Sequence, residues 1–138
     1  MKKNPERPAA KDKRVKVFIV DDHPIVHRGL VQLVNQEADL VVCGEADSIR
    51  ATLDKWEKAS PDVALVDLSL KAESGLELIK DLKVRYPGVP VLVLSMHDET
   101  FYAERAIRAG AKGYIMKQQV SDQVLAAIRR VLSGEVYL

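Results

Sequence analysis

Apolar residues in this chain follow two patterns that take turns along its length. Short apolar runs occur at Val15 to Val20, Leu40 to Gly44, Val63 to Asp67, Pro90 to Ser95 and Gly113 to Met116. They are too brief for helices and rich in β-branched residues, so they predict five strands, and the runs without polar alternation predict burial on both faces. Between them apolar residues return every three or four positions. Val26, Leu30, Leu33 and Val34 make one such stripe; Ile49, Leu53 and Trp56 a second; Leu76, Ile79 and Leu82 a third. A fourth helix is expected over Glu99 to Ala109, and Val124, Leu125, Ile128, Val131 and Leu132 form the face of a fifth.

The punctuation agrees with these limits. Pro24 suits the first turn of a helix, and Asp21 and Asp22 before it suit the positive end of the helix dipole. Asp47 or Ser48 can cap the second helix, which Pro61 stops. Tyr86-Pro87-Gly88 closes the third, while Gly110 and Gly134 end the last two. Strands separated by helices run parallel, and right-handed crossovers leave few arrangements. The expected fold is α/β, a doubly wound five-stranded parallel sheet within a flavodoxin-like three-layer sandwich spanning residues 15–134.

Charge divides the chain unevenly. The formal net charge is +1, but residues 1–14 carry +4 and the rest −3. That first stretch has two prolines and no apolar periodicity, so it is expected to be a disordered basic tail. A mildly acidic body excludes a nucleic-acid surface spread over the whole domain. Cys43 is the sole cysteine and reads as a small buried hydrophobe in a reducing compartment. No apolar run approaches the roughly 18 residues of a membrane span, and no secretion signal is present, so a cytoplasmic protein is expected.

The polar residues that follow strands carry the chemistry. Asp21 and Asp22 follow the first, Asp67 ends the third, Ser95 ends the fourth and Lys117 follows the fifth. Only the second offers nothing comparable. In the order 2-1-3-4-5 the second strand is an edge, and ligands sit beyond the carboxyl ends of the strands at the switch between strands 1 and 3. Three carboxylates there repel one another unless a cation intervenes. Mg²⁺ suits them, since it takes hard oxygen ligands and commonly one or two carboxylates. A carboxylate beside such an ion can accept phosphorus, with the Lys117 ammonium neutralising charge on the phosphoryl oxygens.

These motifs resemble the receiver domain of two-component response regulators. The resemblance rests on Val20-Asp21-Asp22-His23, Leu65-Val66-Asp67-Leu68, Val93-Leu94-Ser95-Met96 and Gly113-Tyr114-Ile115-Met116-Lys117. Asp22-His23-Pro24, Ser95-Met96-His97 and Ala109-Gly110-Ala111-Lys112-Gly113-Tyr114 resemble the NarL/FixJ subfamily, whose complete members carry a LuxR-type helix-turn-helix. The resemblance implies that Asp67 is the phosphoacceptor and that Asp21, Asp22 and Asp67 hold Mg²⁺ with the Ser69 backbone carbonyl. It implies that Lys117 and Ser95 bind the phosphoryl group and that Tyr114 swings inward as Ser95 moves. The implied partners are a sensor histidine kinase and a second copy of the chain on phosphorylation. The dimer would use helix 4, strand 5 and helix 5, or helices 1 and 5. Nucleic acid would be reached only through a C-terminal domain absent here; of an excised and a stand-alone receiver the first is favoured, since residues 135–138 read as the start of a linker. Lys71 and Gln118 stand where many receivers carry Pro, the latter often after a cis peptide, so the resemblance leaves the Lys117–Gln118 geometry open.

Taken singly, each of these residues has a plainer role. Asp21 and Asp22 suit a helix terminus, Asp67 a loop, Ser95 a cap, Lys117 a solvated surface and Tyr114 packing. Together they put complementary groups at one sheet edge. His23, His27 and His97 lack a spacing that makes them joint metal ligands, so structural or surface roles are expected; His97 is placed to tune water access to an acyl phosphate. Phe101 and Tyr102 read as helix packing. A phosphatase of the haloacid dehalogenase type would need a second Asp two residues after the nucleophile, where Ser69 stands. A module that had lost phosphorylation would be missing an acid or the lysine, and none is missing. A signalling domain is therefore expected, not an enzyme, with at most Mg²⁺-dependent self-phosphorylation from small donors and self-dephosphorylation.

Overall fold

The computed structural model describes residues 13–68, 75–95 and 100–137. Five strands alternate with five α-helices: β1 (Val15–Val20), α1 (Pro24–Asn35), β2 (Leu40–Ala46), α2 (Ile49–Ala59), β3 (Val63–Asp67), α3 (Gly75–Arg85), β4 (Val91–Ser95), α4 (Thr100–Ala109), β5 (Gly113–Met116) and α5 (Val120–Leu132). All strand pairs are parallel and the order is β2-β1-β3-β4-β5, so the fold is the expected doubly wound, flavodoxin-like sandwich.

Alternation along the strands builds two cores, because successive side chains point to opposite faces. Val17, Ile19, Val63, Leu65, Leu92, Leu94 and Ile115 face α1 and α5, meeting Leu30, Val34, Val124 and Ile128. Phe18, Val20, Ala64, Val66, Val93 and Tyr114 face the other way, against Trp56 of α2, Leu78, Ile79 and Leu82 of α3 and Ala106 of α4. Each helix stripe read from the sequence thus covers one sheet face. Pro24 does occupy the first turn of α1, and Ser48 is the residue that caps α2, its Oγ accepting from the Ala51 N–H at 3.1 Å.

Three boundaries differ from the sequence reading. β2 runs two residues past Gly44, because a register shift between Val17 and Phe18 lets Glu45 and Ala46 pair with Ile19 and Val20. β4 starts at Val91; Pro90 has no N–H to donate and contributes only its carbonyl, which accepts from Ala64. A 3₁₀ turn, Lys117–Gln119, joins β5 to α5. Every described peptide bond is trans, including Lys117–Gln118.

The chain after α5 returns to the sheet. Tyr137 bridges Gly113 in parallel: its N–H donates to the Lys112 carbonyl at 2.8 Å and its carbonyl accepts from the Tyr114 N–H at 3.0 Å. Its ring lies beneath the Arg130 guanidinium, and its hydroxyl is 3.3 Å from Gln123 Oε1. A Cβ on residue 113 would lie 3.0 Å from the Tyr137 carbonyl oxygen and 2.5 Å from Leu92 Cδ1, so Gly113 is what lets this segment lie flat on β5. Among the described residues no helix is long and apolar enough to cross a membrane. Cys43 is half-buried, and that burial pushes its thiol up to about 11.

Candidate functional site

The strand period explains which groups meet. Asp21, Asp67 and Lys117 continue the side-chain parity of Ile19, Leu65 and Ile115, so they leave the sheet on the α1/α5 side at the carboxyl ends of their strands. Ser95 and Tyr114 have the parity of Val93 and fall on the opposite side. The acids and the ammonium form one cluster, and the Tyr114 ring packs in the core on the opposite face.

Each acid is fixed by its backbone. The Asp21 N–H extends the β1 ladder to the Ala46 carbonyl at 3.1 Å, and Asp21 Oδ1 accepts the His23 N–H at 2.7 Å. His27, one turn into α1, lies with Nδ1 3.0 Å from the Asp21 carbonyl oxygen and Nε2 2.7 Å from Glu45 Oε1. The ring thereby ties the end of β1 to the end of β2. Asp67 pairs with Leu94 in the ladder, and the next N–H, that of Leu68, donates to the Leu94 carbonyl at 2.9 Å. Across from them Gly75 begins α3, its N–H donating to the Leu68 carbonyl at 3.0 Å.

Lys117 closes the cluster. Its side chain is buried, with Nζ 3.0 Å from Asp67 Oδ2 and 3.1 Å from Asp21 Oδ2. Nζ hydrogen-bonds Asp21 through Oδ1, at 3.4 Å, so the buried Asp21 Oδ2 has no hydrogen-bond donor among the described residues. A buried acceptor left unsatisfied is costly, and one ammonium does not balance the three carboxylates of Asp21, Asp22 and Asp67. A hard divalent cation would correct both defects, and oxygens of these acids lie within 4.8 Å of one another. The residues present therefore fit Mg²⁺.

The predicted residues Asp21, Asp22, Asp67 and Lys117 are brought together. Ser95 is fully buried at the end of β4, and Tyr114 is buried in the core shared by α3 and α4. Ser69, Lys71, His97 and the side chains of Phe101 and Tyr102 lie outside the described residues. His23 is the correction: it was expected to play a structural or surface part, but its Nδ1 lies 3.2 Å from Asp21 Oδ1, 3.2 Å from Asp22 Oδ1, 3.1 Å from Asp67 Oδ2 and 2.9 Å from Lys117 Nζ. Histidine spacing carries no trace of this, since the ring joins acids, not other histidines. The one available signal was its place between two strand-end acids and a helix-starting proline. A larger opening at the far end of the sheet, bordered by Lys13, Pro90, Lys112 and Val136, has Asp62 as its one lining acid and no matching constellation.

Comparison with known proteins gives the family. The family model described as "Response regulator receiver domain" matches residues 17–129. The DNA-binding transcriptional activator DevR/DosR of Mycobacterium tuberculosis is 39% identical over 124 residues, covering 90% of this chain and 57% of that protein. The oxygen regulatory protein NreC of Staphylococcus aureus is 39% identical over 126 residues, covering 90% and 58%. The chain thus spans little more than half the length of these relatives. The crystal structure of a LuxR-family two-component response regulator from Aurantimonas sp. SI85-9A1 superposes with a TM-score of 0.85 at 27% identity, covering 91% of this chain and 89% of that one. With the family model covering most of the chain, relatives at 39% identity and a close superposition on a LuxR-family response regulator, the chain belongs to the response regulator receiver domains, of the NarL/FixJ type.

Proposed function

We propose that the domain is a phosphoryl-accepting switch in which Asp67 is the phosphoacceptor. The observation that carries this reading is the buried Asp67 carboxylate, 3.0 Å from the Lys117 ammonium, beside the unsatisfied Asp21 oxygen. Asp67 Oδ attacks the phosphorus of a donor, a P–N bond breaks when the donor is the phosphohistidine of a sensor kinase, and the leaving imidazole takes up a proton. Asp21, Asp22 and Asp67 would hold Mg²⁺, with the Ser69 backbone carbonyl as a further ligand. When bound, the ion supplies charge neutralisation for the incoming phosphoryl group. Lys117 meets the developing charge on the phosphoryl oxygens, which is where phosphoryl transfer gains most from a fixed cation. Water attack on the acyl phosphate resets the switch.

The output follows from parity. Tyr114 is buried on the α3/α4 face and Ser95 shares the strand parity of that face, so movement of Ser95 toward a phosphorylated Asp67 would repack that face around the ring. Phosphate shifts an existing equilibrium between two packings of that face. The full protein would dimerise and act on transcription through a DNA-binding segment outside this chain; the name of DevR/DosR gives that relative as a DNA-binding transcriptional activator.

Intact-mass measurement after incubation with a small acyl phosphate tests the reading. Addition of one phosphoryl group is expected with Mg²⁺ and none after chelation. Uptake that survives Asp67→Asn would contradict it.

A further inference from the structure

His23 does something the acid cluster alone does not explain. One nitrogen, Nδ1, lies 3.1–3.2 Å from an oxygen of each of Asp21, Asp22 and Asp67, the three acids assigned above to the cation. The acids are almost wholly buried, whereas the His23 side chain is 48% exposed, so the ring enters the cluster from its mouth. Its ring is not spent on the helix it precedes: His23 is the N-cap residue of α1, with its N–H donating to Asp21 Oδ1 and its carbonyl accepting the His27 N–H at 2.9 Å, yet its side chain makes no capping bond.

We propose that His23 is a gate on cation entry: its imidazole competes with Mg²⁺ for the same three carboxylates and leaves the pocket when the ion binds. Mg²⁺ demands oxygens at about 2.0–2.1 Å and keeps several waters, and a ring nitrogen seated among those oxygens leaves no room for that shell. Ligation of the ion by Nδ1 is disfavoured by Lys117, whose ammonium is 2.9 Å from that nitrogen and would face a second cation there. The half-exposed ring has solvent to move into, and its departure frees the Asp67 oxygen that it shares with Lys117. A site open for only a fraction of the time binds its ligand more weakly by that fraction. His23 therefore sets the Mg²⁺ concentration at which the domain becomes competent.

The proposal rests on the cation-binding reading above, and calorimetric Mg²⁺ titration of the whole chain separates the two. His23→Ala, and His23→Phe as a variant that keeps a ring but no nitrogen, are each expected to bind Mg²⁺ more tightly than the parent, by about 10-fold if the gate is shut nine-tenths of the time. Asp22→Asn is expected to weaken binding in both backgrounds. Unchanged or weaker affinity in both His23 variants, with the Asp22→Asn loss intact, overturns the gate and leaves the cation site standing. If Asp22→Asn changes nothing, the cation site fails and the gate falls with it.

Discussion

Gly75 approaches Asp67 so closely that a Cβ at position 75 would lie 2.6 Å from the Asp67 carbonyl oxygen, with the Leu68 carbonyl oxygen at 2.7 Å and Leu68 Cα at 2.8 Å. All three neighbours are backbone, which cannot rotate aside. The start of α3 and the end of β3 are therefore locked together through a residue without a side chain, and the strand that carries Asp67 inherits its position from that contact.

Gly75→Ala is expected to displace either α3 or the end of β3. Because the clash is with main chain, the cost should exceed the usual overpacking range of about 1–3 kcal/mol or show as lost function. Urea unfolding read alongside phosphoryl uptake checks this. A variant with parental stability and parental uptake would show that the contact is not restrictive.

Crowding in the acid cluster gives opposite signs for two buried substitutions. Asp67→Asn removes one of three close carboxylates and leaves Lys117 paired with Asp21, so stability without metal should be unchanged or higher. Lys117→Ala removes the ammonium paired with Asp21 and Asp67 and strands buried carboxylates, with an expected loss of about 3 kcal/mol. Saturating Mg²⁺ should restore part of that loss by binding the folded state. Denaturant titrations with and without Mg²⁺ read both effects.

Cys43 should be slow to react while the protein is folded. Burial raises its thiol from 9.0 to about 11, which lowers the thiolate fraction at neutral pH about 100-fold. The folded state holds this proton more tightly than the unfolded chain does. The corresponding stability is complete below pH 9 and is lost as pH rises toward about 11. Alkylation rates at pH 8, native against urea-unfolded, measure the difference.

The Tyr137 bridge puts the chain after α5 in hydrogen-bond contact with the backbone of Tyr114. Tyr137→Pro removes the donor to the Lys112 carbonyl and should loosen the bond that Tyr137 offers the Tyr114 N–H. Loss of about 1 kcal/mol there means roughly fivefold faster amide exchange at Tyr114. Exchange at Leu94, in the sheet interior, should not change.

Sequence patterning placed the candidate residues at one rim because two regularities coincide there. Strand ends mark the rim where Asp21, Asp67, Ser95 and Lys117 stand, and the period of two sorts them by face. His23 was not legible that way, since its part depends on a side-chain rotamer over the pocket mouth, which no spacing encodes. Tyr137 escaped because a single-residue parallel bridge has no periodic signature. The extra residues of β2 depend on a register shift at Val17/Phe18 that only pairing with β1 reveals. Helix limits were readable where Pro24, Ser48 and Gly110 punctuate them, because each acts through local backbone chemistry.

The most direct test is to locate the phosphoryl group itself. After reaction with a small acyl phosphate and Mg²⁺, borohydride reduction converts an aspartyl phosphate to homoserine, and peptide mapping identifies its position. Conversion confined to position 67, and abolished by Lys117→Ala or by chelation, is the expected result. Conversion at Asp21 or Asp22, or none at position 67 in a protein that has gained a phosphoryl group, would contradict the assignment of Asp67 as the phosphoacceptor.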